Sequence, residues 1–117
     1  MQEQWNQGMD FFFGYFNELV RAQSKDLQEL FAKDAMFSSQ SSNILGGEKI
    51  AAYLNKSNKE LTVESKHITH LENDKMLVTG KGKLGQTNSL YTIVFHKTTE
   101  NDCMKFTIVN MTILNII

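Results

Sequence analysis

Apolar residues between positions 4 and 22 recur at spacings of three and four: Trp5, Met9, Phe12, Phe16 and Leu19. That period predicts an amphipathic helix over this stretch. Phe13 and Val20 widen the apolar stripe on one side, and Phe11 and Tyr15 widen it on the other. At about 100° per residue the apolar arc spans roughly 200°. A core-facing stripe needs little more than about 100°. The helix therefore carries apolar surface for its own domain and a surplus for something else. Its polar remainder is Asn6, Gln7, Asp10, Gly14, Asn17, Glu18 and Arg21.

Ser24 is placed to cap a second, short helix with Asp26 in its first turn and Leu27, Leu30 and Phe31 on its apolar face. AMFSS at 35–39 reads as a strand, QSSN as a turn, and Ile44 with Leu45 as a brief extended piece. Gly46 and Gly47 lead into a third helix at about 48–55, with Ile50, Ala51 and Leu54 inward. From residue 61 onward the alternation and the β-branched content predict strands at 61–71, 76–84, 89–97 and 103–117, joined by short polar turns. Gly80 and Gly82, two apart on one face, mark a bend or bulge. The pattern gives one α+β domain over residues 1–117, with three N-terminal helices against a strongly curved antiparallel sheet.

Composition sharpens this picture in three ways. Apolar residues make up 41% of the 117 and charged residues 21%, enough for a core and a solvated surface. A net charge of −1 with no cluster of Lys or Arg argues against nucleic acid as the main ligand. No apolar run approaches the ~18 residues of a membrane span, and the polar start MQEQWNQ carries no signal-peptide pattern. The single cysteine, Cys103, excludes a disulfide within the chain and fits a reducing compartment. His67 and His70 fall on opposite faces of one strand and His96 on another, so no metal site is expected. No cofactor motif is present; the LGG step at 45–47 lacks the context of a phosphate loop.

LQELFAKDAMFS (27–38) followed by LGGEKIAAYL (45–54) resembles the nuclear transport factor 2-like superfamily, a cone-shaped fold shared by enzymes and non-enzymes. The opening WNQGMDFFFGYFNEL and the ending FTIVNMTI (106–113), with its aromatic-x-x-x-Asn, resemble the eukaryotic transport branch. That resemblance implies binding of phenylalanine-glycine repeats of nuclear-pore proteins at Trp5 and Phe12, and carriage of GDP-bound Ran by acidic rim residues. It also implies a homodimer, or a heterodimer with a similar domain such as an mRNA-export receptor's, and localisation to cytoplasm, nucleus and nuclear envelope. The rim departs from the pattern: Gln40 and Gly85-Gln86-Thr87 stand where carboxylates would contact Ran. Phe37, Tyr53, Tyr91, Phe95 and Tyr15 are expected around the cone cavity.

The resemblance also raises an enzymatic alternative. In isomerase-like members a first-helix Tyr, here Tyr15, donates a hydrogen bond to an oxyanion, with a carboxylate base nearby. The comparable strand position holds Ser39, and the remaining acid, Asp34, reads as a turn residue, so no catalysis is expected. The last strand is apolar on both faces, with Ile108, Met111, Ile113, Leu114, Ile116 and Ile117. Ile108, Met111 and Ile113 are therefore expected at a dimer interface on the outer sheet face.

Overall fold

A computed structural model of the chain describes residues 2–116; Ile117 of the expected final strand lies outside the described residues. The leading helix, α1, runs Gln2–Arg21, and a 3-10 helix follows at Lys25–Leu30. Ser24 caps it as expected: its Oγ accepts a hydrogen bond from the Asp26 N–H at 3.1 Å. The strands are β1 (Phe31–Ser38), β2 (Asn43–Leu45), β3 (Leu61–Val63), β4 (His67–Leu71), β5 (Lys75–Leu84), β6 (Thr87–Glu100) and β7 (Cys103–Asn115). The second α-helix, α2, is Gly47–Lys56. The helices are thus not three in a row at the N-terminus: α2 follows β1 and β2.

All seven strands form one sheet in the order β2-β1-β7-β6-β5-β3, with β4 also on β5. The meander from β4 to β7 is antiparallel as expected. β1 returns parallel to β7, which makes the sheet mixed. The expected single strand at 61–71 is broken into β3 and β4, which pair with opposite ends of β5. Gly80 and Gly82 explain the break. A Cβ at Gly80 would lie 2.0 Å from the Ser65 carbonyl oxygen, and one at Gly82 would lie 2.2 Å from that of Thr62. The bare backbone lets the edge segment fold inward over β5. A second irregularity lies on β7, where Val94 pairs with Asn110 but Phe95 pairs with Ile108. Val109 is the extra residue of a bulge, which bends the long β6–β7 ribbon.

α1 lies in the concave face. Met9, Phe12, Phe13, Phe16, Leu19 and Val20 are buried there, against Met76, Val78, Tyr91, Ile93 and Phe95 of β5 and β6. Edge-to-face rings knit the interface: Phe12 meets Phe95 at 5.1 Å, and Phe13 meets Tyr91 at 6.2 Å. Ile108, Met111 and Ile113 are not on the outer face. They alternate with Thr112, skip the bulged Val109, and point into this core, each 1% exposed or less. Pleat parity assigns them inward, because they pair with Phe95, Ile93 and Tyr91, the inward residues of β6. The outer face of β7 presents Asn110, Thr112 and Leu114 instead, and of these only Leu114 is a large apolar side chain.

Two polar contacts fix the helix and the bend. The Asn17 side chain of α1 grips the edge strand: its Nδ2 donates to the Leu61 carbonyl at 2.7 Å, and its Oδ1 accepts from the Leu61 N–H at 2.8 Å. The Tyr91 hydroxyl donates to the Ser65 carbonyl at 2.7 Å, across the space that Gly80 leaves open. Burial, with Asp10's charge as a smaller contribution, pushes the Tyr91 phenol up to about 12.

Candidate functional site

The surplus of the α1 arc has a definite location. Phe11 is 81% exposed and Tyr15 44%, on the edge of α1 that faces away from β5. Beside them the β6–β7 ribbon runs past the rest of the sheet. β5 pairs no further than His96, and β1 meets β7 from Phe31 at Ile108, so Cys103–Phe106 overhang. Between this overhang, α1 and the 3-10 helix lies an open groove of about 480 Å³.

Its walls are Trp5, Phe11, Phe12 and Tyr15 from α1, Met104 and Phe106 from β7, and Leu30 from the 3-10 helix. Five of these are aromatic. Gly8 forms part of the floor: a Cβ there would stand 3.7 Å from the Phe106 ring. Gln4, Glu29 and Lys105, all exposed, supply the polar rim. Clefts that hold small apolar molecules have this build, an apolar lining with a few polar groups at the edge. The size also suits two or three bulky side chains of a peptide.

Trp5 closes one end. Its ring sits edge-on to His70 at 4.7 Å and to Phe106 at 6.1 Å, and the Lys97 ammonium lies 5.1 Å from its centre. His70 and Lys97 reach the inner face from β4 and β6, and Lys97 Nζ donates to His70 Nδ1 at 3.0 Å. Since an ammonium is a donor only, the imidazole there is neutral, with its proton on Nε2. The desolvation of His70, and then the Lys97 charge, lower its affinity for a second proton.

The groove brings together Trp5, Phe12 and Tyr15 of the residues expected to function. It does not include Phe37, Tyr91 or Phe95, which are at most 1% exposed and belong to the core. The reason is steric: Phe12, Phe13 and Phe16 fill the concave space those side chains would otherwise have lined. Tyr53 is half-buried and packs on Phe37 at 5.6 Å, away from the groove. Asp34 is exposed on β1, and Ser39 is engaged in its own turn, where its N–H donates to the Ser42 carbonyl at 2.8 Å. Neither stands beside Tyr15. Sequence reasoning missed Glu29, Met104, Lys105 and Phe106 as lining. The overhang of the ribbon places all but Glu29, and strand periodicity does not register where a partner strand stops.

A second hollow of about 470 Å³ lies at the start of α2, lined by Phe31, Lys33, Leu45, Gly46, Gly47 and Lys49 among others. Among the described residues no group of three or more His, Cys, Asp or Glu side chains is placed to hold a metal ion.

No protein-family model and no curated protein sequence matches this chain. Solved structures do match by shape. One is a Xanthomonas campestris protein provisionally assigned as a calcium/calmodulin-dependent protein kinase II association domain. It is 15% identical with a TM-score of 0.71, over 93% of this chain and 86% of the other. ActVI-ORFA of Streptomyces coelicolor is 11% identical with a TM-score of 0.71, over 97% of both chains. A protein of unknown function from Shewanella oneidensis, described as like nuclear transport factor 2, is 17% identical with a TM-score of 0.63, over 85% of this chain and 89% of the other. At these identities the likeness speaks for the fold and for nothing narrower. Helices packed in the hollow of a bent sheet, and the shape shared with these proteins, give this chain the nuclear transport factor 2-like fold.

Proposed function

We propose that this chain is a non-catalytic binding protein whose groove beside α1 takes an apolar, aromatic-bearing ligand. One observation carries this reading: five aromatic side chains converge on a single open hollow, with Phe11 largely and Tyr15 partly in solvent. An exposed apolar patch framed by polar residues is characteristic of a binding surface. Asp34 and Ser39, the positions considered for an isomerase base, do not line the groove. In the narrower form of the proposal the ligand is a phenylalanine-glycine repeat of nuclear-pore proteins and the chain a transport carrier or the partner subunit of an mRNA-export receptor. The position of Trp5 and Phe12 on the groove supports that form. The rim does not favour Ran: the Gln40 side chain accepts a hydrogen bond from the Asn115 N–H at 3.3 Å and brings no charge.

A second reading, a small-molecule site, is favoured by the Tyr15 hydroxyl and the Glu29 carboxylate sharing the groove with its apolar floor. One experiment separates the two. Trp5 is the only tryptophan, so its emission reports on the groove directly. A peptide with two phenylalanine-glycine units is expected to change that emission saturably, and Phe11→Ser to weaken binding about tenfold, equivalent to about 1.4 kcal/mol. Saturation by a steroid-sized apolar molecule but not by peptide would select the second reading. No saturable change with either would refute the groove as a binding site.

A further inference from the structure

The stack that holds Trp5 contains a charge arrangement that the binding reading leaves unused. Lys97 and Phe106 are paired across β6 and β7, and His70 stands on the same inner face from β4. Trp5 lies across all three on one side and lines the groove on the other. The Lys97–His70 contact at 3.0 Å exists only while His70 Nδ1 keeps a free lone pair.

We propose that protonation of His70 unlatches the Trp5 end of the groove by expelling Lys97 from the stack. Once both ring nitrogens carry protons, two cationic donors face each other at hydrogen-bond distance with no acceptor between them. The contact is open to solvent, so water screens the pair, but no side-chain acceptor of the packed elements offsets the repulsion. β5 presents Met76 opposite His70, β7 presents Phe106, and α1 presents Trp5, all uncharged. Asp74 gives the Lys97 backbone N–H a carbonyl acceptor at 2.7 Å. The ion pairs among the described residues are Arg21–Glu60 and Lys66–Asp10, so no carboxylate is paired with Lys97 or His70. Lys97 carries the flexible chain and therefore leaves. Its departure removes the cation from over the Trp5 ring. The first turns of α1 then keep only edge contacts at this end. The direction of His70's shift puts the transition below 6.5, in mildly acidic solution.

The proposal gives the regulation of the groove and, as far as ligand is concerned, rests on the binding reading. Its test uses the unliganded full chain, so the two can fail separately. Acrylamide quenching of Trp5 is measured from about pH 7.5 to about pH 5, with far-ultraviolet circular dichroism confirming an intact fold; the expected result is a rise in accessibility of about twofold or more in one titration. His70→Gln should abolish the rise. Lys97→Met should leave accessibility nearly flat, while the protonation midpoint of His70, followed by its imidazole NMR signals, moves upward because the repulsion is gone. Imidazolium also dims a nearby indole without moving it, so a change in intensity with unchanged acrylamide accessibility would overturn the latch. An equal rise in His70→Gln would overturn it too, as general loosening by acid.

Discussion

Asn17 offers the sharpest test of how α1 is seated. Its amide satisfies both backbone groups of Leu61, the first residue of the edge strand β3, at 2.7 and 2.8 Å. In Asn17→Leu both hydrogen bonds vanish. Each is worth about 1 kcal/mol net, and the N–H and C=O of Leu61, a buried residue, add a desolvation cost of about 1–3 kcal/mol in all. The expected loss is about 3–5 kcal/mol. For a chain of this size that lowers Tm by roughly 10–20 °C. Asn17→Asp makes the reasoning more exposed. As a carboxylate it still accepts from the N–H, but its second oxygen faces the Leu61 carbonyl. As a neutral acid it can both accept and donate, like the amide it replaces. Its folded pKa should therefore lie above the unfolded value of about 3.9. By linkage the recovered stability is present below that value and is lost as pH rises through the folded pKa. The assay is urea unfolding followed by circular dichroism, wild type and variant side by side from about pH 7 to about pH 3.5. Subtracting the wild type removes the acid sensitivity common to both. The deficit of Asn17→Asp should shrink with acid while that of Asn17→Leu stays constant. A cost under about 0.5 kcal/mol for Asn17→Leu, the range of ordinary surface changes, would refute the argument. So would an Asn17→Asp deficit that grows as pH falls.

Other expectations follow from the same contacts. Gly80→Ala should cost about 2–5 kcal/mol in chemical denaturation, because its Cβ would sit 2.0 Å from the Ser65 oxygen and 2.8 Å from the Tyr91 hydroxyl. A normally stable Gly80→Ala would mean the inward bend of the edge strand does not depend on that gap. In alkali the unfolded chain ionises Tyr91 near 10 while the folded chain holds its proton to about 12. Stability should therefore decline between those values by roughly 2–3 kcal/mol at most. Tyr91→Phe should remove that part of the decline, and an unchanged alkaline profile would contradict it. Phe16 and Phe11 share a helix and should behave oppositely. Phe16→Ala, from a site 1% exposed, is expected to cost about 3–5 kcal/mol. Phe11→Ser, from a site 81% exposed, should leave thermal stability within about 0.5 kcal/mol of wild type.

Much of this architecture was legible in the sequence because it rests on local periods. The stripe on residues 4–22, the Ser24 cap, the glycine-led helix and, apart from the strand at 61–71 that splits in two, the late antiparallel strands recur at or near their expected bounds. Even the two-sided apolar arc of α1 was visible as an excess. What periodicity could not supply was the identity of the neighbour on each face. Asn17 counted as a polar, outward residue of the helix, yet its partners lie 44 positions away on β3. Ile108, Met111 and Ile113 were apolar in a strand that looked apolar on both sides. Only the bulge at Val109 and the pairing with β6 turn all three inward.

The groove shows the same division most plainly. The sequence by itself determined that α1 has more aromatic surface than one sheet can cover, since a 3.6-residue repeat assigns directions around a helix axis without reference to the rest of the chain. Tertiary structure alone decided where that surplus goes. The ribbon of β6 and β7 outruns its neighbours and carries Met104, Lys105 and Phe106 past the sheet, opposite Phe11 and Tyr15. Side-chain direction is a property of a few adjacent dihedrals, whereas a cavity exists only where distant segments meet and leave space between them.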